Sequence, residues 1–238
     1  MALYLVNFAR GEEYLAVQRH QREILKPYFS DIFEYGEQFI RDSGYYDKNK
    51  EVIDSSSTGW GYCGWKGMII LDAMSKVKDD DLIFYSDVSD QIYNTAFFDW
   101  LILRTNQMGG RFFNLNYYNH GQWTRRKCFE VMHCDSPEYW NHRQLEAGTI
   151  GLIKNPYNME FLNLWWQWCE IPDAIAKFSQ DKDNNLEGFQ DHRCDQSILT
   201  NLVIHYGYET EYMENIRAYI KYNEFDKFMS LDKHRFAG

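Results

Sequence analysis

Proline is scarce, with 4 residues in 238, and no polar low-complexity run occurs, so disordered, collagen-like and mucin-like chains are excluded. No apolar stretch approaches the roughly 20 residues that span a bilayer. The start, MALYLVNFARGEEY, has no cationic lead and carries acids where a signal peptide would be apolar. The five cysteines, Cys63, Cys128, Cys134, Cys169 and Cys194, are odd in number and form no CxxC pair. A soluble cytoplasmic protein with reduced thiols is expected. Thiols and the 7 histidines do not cluster at structural-zinc spacing. The GxxxxGK[ST] and GxSxG patterns are missing, which disfavours P-loop and α/β-hydrolase chemistry. Positive charge is short too: 25 Lys+Arg face 35 Asp+Glu, for a formal net charge of −10. Nucleic acid is therefore not an expected partner. An anionic ligand would need local cations or a bound metal.

What is abundant is aromatic: 18 Tyr, 16 Phe and 8 Trp, with 45% hydrophobic residues overall. The length suits one large α/β domain or two small ones. Leu3 to Phe8 reads as a buried strand, followed by a helix that Gly11-Glu12-Glu13 opens, with Tyr14, Val17, Ile24 and Tyr28 near one face and an end about Pro27. Residues 30–58 hold no sustained period; a second strand and then a loop ending at Gly59 are expected. A helix from Trp65 carries Ile69, Ile70, Ala73, Met74 and Val77 on one stripe. After a turn at Lys78–Asp81, Leu82-Ile83-Phe84-Tyr85 reads as a central parallel strand covered on both faces. A helix over about 91–107 comes next, with Tyr93, Phe97, Trp100 and Leu101 turned inward, then strands at Arg111–Tyr118 and Ala147–Ile153. Thr124 is a candidate cap for a helix through Met132, Asn155-Pro156 for the next, and Asp195 for the last clear one. A further helix is expected from Glu214. Strand and helix alternate without repeats or a linker, which predicts a single α/β domain with a mostly parallel sheet flanked by helices.

Ligands of open parallel sheets bind beyond the carboxyl ends of the strands, and the most informative strand end is Asp87-Val88-Ser89-Asp90. Its carboxylates are hard ligands suited to Mg²⁺ or Mn²⁺ shared with phosphate oxygens; helix capping by the same acids is the plain alternative. Gly59-Trp60-Gly61-Tyr62-Cys63-Gly64-Trp65-Lys66 sets aromatic rings among glycines. By itself it reads as a packed loop leading into a helix, with Lys66 a phosphate candidate. Trp123-Thr124-Arg125-Arg126-Lys127 is the densest cationic cluster, a solvated face unless a helix start turns it into an anion site. Gln144-Leu145-Glu146-Ala147-Gly148 is placed to aim a carboxyl or amide into the cleft. His192-Arg193-Cys194-Asp195-Gln196-Ser197 offers an imidazole, a guanidinium, a carboxylate and an amide around one helix start. A Cys194 nucleophile paired with His192 is a remote alternative, because the two stand too close in the chain for triad geometry.

Taken in order, these segments resemble the GT-A glycosyltransferases of bacterial polysaccharide and large-DNA-virus glycan synthesis. The pattern there is G-x-G-Y-W-x-W-K-P, then Y-x-D, W-T-K-R-D, Q-x-x-A-G and H-R-x-D-Q-S, and the match runs from about residue 59 to 203. The resemblance implies metal-dependent transfer of a sugar from a nucleotide-diphosphate donor, a UDP-sugar, to a hydroxyl of a glycan acceptor. It divides the chain into a nucleotide-sugar half at about 1–120 and an acceptor and catalytic half at about 121–238. It places Asn7, Lys66, Asp87, Ser89 and Arg125 at the donor, Asp87 and Asp90 on Mn²⁺ or Mg²⁺, and Asp195, Gln196 and Glu146 at the reacting sugar. The Asp-Gln pair favours a retaining transfer; in an inverting one Glu146, Asp191 or Asp195 would be the base. The sequence departs from the pattern at Ser89, at Cys63 in place of Trp and at Gly67 in place of Pro. Two other readings compete: a non-catalytic carbohydrate-binding module using the aromatic excess, and a metal-dependent nucleotide-sugar hydrolase.

Overall fold

The computed structural model describes residues 1–88, 91–93, 95–177, 184–216 and 220–222. Its centre is a five-stranded sheet in which β1 (Leu3–Ala9), β2 (Asp31–Gly36) and β3 (Leu82–Ser86) run parallel, with β1 in the middle of the three. Two short strands, β4 (Gln91–Tyr93) and β10 (Ile220–Tyr222), pair with each other apart from it. β5 (Arg111–Phe112) and β8 (Thr149–Ile153) complete the central sheet in the order β2-β1-β3-β8-β5. β8 runs antiparallel to both neighbours. The α/β class with helices on both faces is as expected, but the sheet is mixed rather than mostly parallel. A three-stranded sheet places β6 (Asn114–Asn119) between β7 (Arg143–Leu145) and β9 (Glu211–Tyr212).

Alternation along β3 assigns its faces, since successive side chains point to opposite sides of a sheet. Ile83 and Tyr85 join the larger core, beneath the helices Lys66–Ser75, Pro156–Cys169 and Asp195–His205. Leu82 and Phe84 join the other, with Leu25, Phe97, Leu101 and Phe112. All five residues of the strand are buried, which its unbroken apolar run requires.

Several expectations change in detail. The first helix is Glu12–Leu25, and its buried face carries Gln18 and Gln21 beside Val17 and Leu25; Tyr28, in a short 3-10 turn, is exposed. Residues 37–55 hold three short helices instead of a loop, at Glu37–Asp42, Tyr45–Lys48 and Lys50–Ser55. The segment expected to start a helix at 91 forms β4, and the helix is Thr95–Gln107. The expected strand 111–118 is broken at Phe113 into strands of two different sheets. Thr124 caps nothing: Arg125 is the residue before the Arg126–Val131 helix, and the Thr124 hydroxyl bonds His120 and Ser197. Asn155 does cap its helix, its side chain accepting from the Asn158 N–H at 2.8 Å. The helix expected from Glu214 is the single turn Met213–Ile216, and of residues 217–238 only 220–222 are described. No helix among the described residues is long and apolar enough to cross a membrane, and all five cysteines are free.

The glycine-aromatic segment forms the packed loop leading into the Lys66–Ser75 helix. Tyr62 and Trp65 are buried, and Trp60 lies between Phe8 and Tyr46. Consecutive left-handed residues, Gly61, Tyr62 and Cys63, turn the chain sharply there. Gly67 is explained by packing: a Cβ would stand 3.0 Å from the Leu162 carbonyl oxygen and 3.0 Å from the Trp166 nitrogen, both backbone. It lets the Lys66–Ser75 and Pro156–Cys169 helices touch where any side chain would separate them. Gly67→Ala is therefore expected to lower stability by about 1–3 kcal/mol. Gly36→Ala, where the nearest atom is 3.5 Å away in extended backbone, should be neutral or slightly stabilising. Urea midpoints of the two variants check both.

Candidate active site

The direction of β8 builds the site. β3 ends at Ser86, paired with Thr149 at the start of β8. Because the two strands are antiparallel, the residues before β8 lie at the same sheet edge as those after β3. The Asp87 N–H accordingly donates to the Gly148 carbonyl at 2.9 Å. Had β8 been parallel, Glu146 would sit at the opposite end of the sheet from Asp87.

Lys66, the first residue of its helix and 4% exposed, enters this edge from the side. Its ammonium stands 3.1 Å from Asp195 Oδ2, 3.3 Å from Asp87 Oδ1 and 3.2 Å from the Ala147 carbonyl. The Tyr85 hydroxyl donates to the same Asp87 Oδ1 at 2.6 Å, and the Tyr85 ring lies 5.5 Å from the ammonium. Tyr85 and Asp87 are two apart and so share one face at the strand end, a relation present in the Y-x-D pattern whose chemical use sequence reasoning missed. Glu146 faces Asp87 across Gly148: a Cβ on that glycine would meet Asp87 Oδ2 and Glu146 Oε1, each at 3.1 Å.

Asp195 opens the Asp195–His205 helix but does not cap it. Cys194 holds the capping position at φ 50°, ψ −116°, a strained conformation for a residue with a side chain. The Asp195 carboxylate is turned to Lys66 instead. Its Oδ2 is buried within ion-pair distance of that ammonium but has no aligned hydrogen-bond donor. The Trp165 indole N–H donates to the Asp195 carbonyl at 3.1 Å, anchoring the turn. Gln196 is fixed on both sides, accepting from the Ala147 N–H at 3.3 Å and donating to Gln144 Oε1 at 3.0 Å.

The charges are strongly coupled. Burial works against the Lys66 cation, but Asp195 and Asp87 together outweigh it and hold its pKa well above the ordinary lysine value. Burial raises Asp195 to about 6, opposed by Lys66 and reinforced by the Asp87 charge. Burial and then Asp87 raise Glu146, with Lys66 and Arg193 pulling it down. One cation thus sits among three carboxylates, two of them displaced toward the proton-holding form.

The structure therefore brings together Lys66, Asp87, Glu146, Asp195 and Gln196 from four segments of the chain. Two other expected residues are engaged elsewhere. Asn7 is fully buried on β1, its amide donating to Gln21 and accepting from Gln18, so it pins the first helix to the sheet. Arg125 is buried with a guanidinium nitrogen donating to the Asp173 carbonyl, which secures the Pro172–Ile175 turn. Ser89 and Asp90 lie outside the described residues. His192 is no metal ligand here: Nδ1 accepts from the Arg125 N–H, Nε2 bonds the Ala174 carbonyl, and burial lowers its pKa to about 3. Cys194 is no nucleophile, since burial pushes its thiol well above the usual range and Sγ faces the His192 carbonyl. Arg193, absent from the expected set, reaches Glu146 electrostatically and stacks on Trp123 at 4.4 Å.

No family model matches the chain, and no curated protein matches it in sequence. Among solved structures, the apo form of mouse xyloside xylosyltransferase 1 is similar at a TM-score of 0.49 and 11% identity, covering 89% of this chain and 85% of that one. A likeness of that size says nothing about chemistry, and none is taken from it.

The raised pKa of Asp195 has a consequence for stability. The folded protein holds this proton up to about pH 6, whereas the unfolded chain releases it near 3.8. The stabilisation it brings is complete below about pH 3.8 and is lost as pH rises through about 6. Lowering the pH from 7.5 to 5 should therefore strengthen folding through this group, and Asp195→Asn should diminish that gain. Urea unfolding at the two pH values measures the difference.

Proposed function

We propose that the protein is a glycosyltransferase that moves a sugar from a UDP-sugar to a hydroxyl of a glycan acceptor. The observation carrying this reading is the convergence of the motif residues. Lys66, Asp87, Glu146, Asp195 and Gln196 come from separate segments of the family-like pattern and meet at the carboxyl end of β3, where such sheets take ligands. Burying charge is costly, and this cluster keeps the Lys66–Asp195 ion pair, 3.1 Å long, buried with Asp87 beside it. A stacking module for carbohydrates has no need of it.

In this reading Asp87 meets the donor diphosphate side and Lys66 supplies positive charge next to it. The fit of a divalent ion depends on the oxygens available. Asp87 Oδ2 and Glu146 Oε1 face one another across Gly148, each 3.1 Å from where a Cβ on that glycine would stand. No group of three or more His, Cys, Asp and Glu side chains suited to a metal occurs among the described residues. Two carboxylates with phosphate and water completing the shell is the mode Mg²⁺ and Mn²⁺ adopt with nucleotides, so the residues fit. Asp87 and Glu146 would hold the ion, which when bound neutralises charge on the departing diphosphate.

The chain's own groups do the positioning. Asp195, held by Lys66, presents negative charge toward the reacting sugar, where positive character develops during transfer. Gln196, fixed by Ala147 and Gln144, orients the sugar beside it. Attack from the face the diphosphate leaves retains configuration, and on that face the departing diphosphate oxygen takes the proton of the acceptor hydroxyl, so that no separate base is needed. We place this activity in the cytoplasm, in polysaccharide synthesis.

Calorimetric titration of UDP into metal-stripped protein, with and without Mn²⁺, tests the reading. Binding that strengthens at least tenfold with Mn²⁺ and is lost in Asp87→Ala is expected. Absence of UDP binding under both conditions overturns it. Consumption of UDP-sugar at equal rates with and without glycan would assign a hydrolase instead.

A further inference from the structure

Beside the acidic cluster lies an aromatic surface that the donor chemistry does not use. Tyr118, the fifth residue of β6, is 41% exposed. Its ring centroid is 4.8 Å from that of half-buried Trp123, inclined at 46°. The Arg193 guanidinium lies 4.4 Å from the Trp123 ring centroid and 5.4 Å from that of Tyr118. Three groups of amphipathic character thus line one corner: two aromatic faces and a planar cation with several N–H donors.

This corner is bonded to the candidate active site rather than merely near it. The Trp123 carbonyl accepts from the Arg193 N–H at 3.1 Å, from the Ser197 hydroxyl at 3.1 Å and from the Gln144 amide at 3.2 Å. Gln144 is the residue that fixes Gln196, and Arg193 stands two positions before Asp195. The Arg193 charge also reaches Glu146. A group resting on the Tyr118 and Trp123 rings is therefore held by the same hydrogen-bonded frame that sets Gln196.

We propose that Tyr118, Trp123 and Arg193 form the acceptor subsite, stacking one pyranose ring of the glycan next to Glu146 and Asp195. The C–H face of a pyranose is apolar and matches an aromatic face, while its equatorial hydroxyls match the guanidinium donors. The two rings already pack against one another at 46° and so lose little freedom when a sugar binds. The role as acceptor subsite rests on the transferase reading. The stacking site itself does not.

The two claims separate in one set of titrations on the full chain. Cellotetraose, maltotetraose and chitotetraose are titrated with intrinsic tryptophan fluorescence as the readout, and UDP with Mn²⁺ by calorimetry. At least one tetrasaccharide should bind, with the dissociation constant rising tenfold or more in Tyr118→Ala and returning to within threefold of wild type in Tyr118→Phe. UDP affinity in Tyr118→Ala should stay within twofold of wild type, showing an intact fold. Binding of none of the three probes, or equal binding by wild type and Tyr118→Ala, overturns the subsite. Tyr118-dependent glycan binding without any UDP binding supports the stacking site and overturns the transferase reading.

Discussion

A lysine ammonium shut away from water needs counter-charge and hydrogen-bond acceptors on every side, and Lys66 finds them in Asp87, Asp195 and the Ala147 carbonyl. These partners belong to a strand end, the first turn of a helix and the segment before an antiparallel strand. Satisfying the one cation therefore fixes three otherwise independent pieces of chain. The carboxylates gain as well, since without Lys66 the buried Asp195 and the partly buried Asp87 would stand close together and repel. The arrangement is costly to fold and useful to a ligand, because it holds charge in place before the ligand arrives.

Several features exist to hold that cation where it is. Left-handed Tyr62 and Cys63 turn the chain so that Lys66 points into the sheet edge as its helix begins. Gly67, the next residue, allows that helix to lie directly on Pro156–Cys169. At the other end the strained Cys194 turns Asp195 inward, and Trp165 from the same long helix holds its carbonyl. The two helices that touch at Gly67 thus carry, between them, the cation and the anchor of its partner.

Much of this was legible in the sequence, and the reasons for the rest are physical. The apolar run 82–85 marked the central strand, and its abrupt acidic end located the site, because the two signals together are unusual. Lys66, Glu146, Asp195 and Gln196 could be named from motif order alone. The reversal of β8 could not be read, since a short buried strand has the same composition in either direction; yet that reversal is what brings Glu146 to Asp87. Asn7 and Arg125 were donor contacts only by the family resemblance, which does not show what a side chain bonds within the fold. Their side chains satisfy buried backbone and amide partners instead. The short helices of 37–55 stayed hidden because pieces of four to six residues carry too little period to detect. Gly67, a departure from the family-like pattern, is a close packing contact between two helices.

The central claim is that Lys66 is energetically coupled to Asp195 as a buried pair and not merely adjacent to it. A double-mutant cycle with Lys66→Met and Asp195→Asn, read by urea unfolding at pH 7.5, tests it directly. Lys66→Met alone strands the carboxylates and should destabilise the fold by about 3–5 kcal/mol. The same change in the Asp195→Asn background should be milder, for a coupling energy above about 1 kcal/mol. Additive effects of the two substitutions would contradict the account.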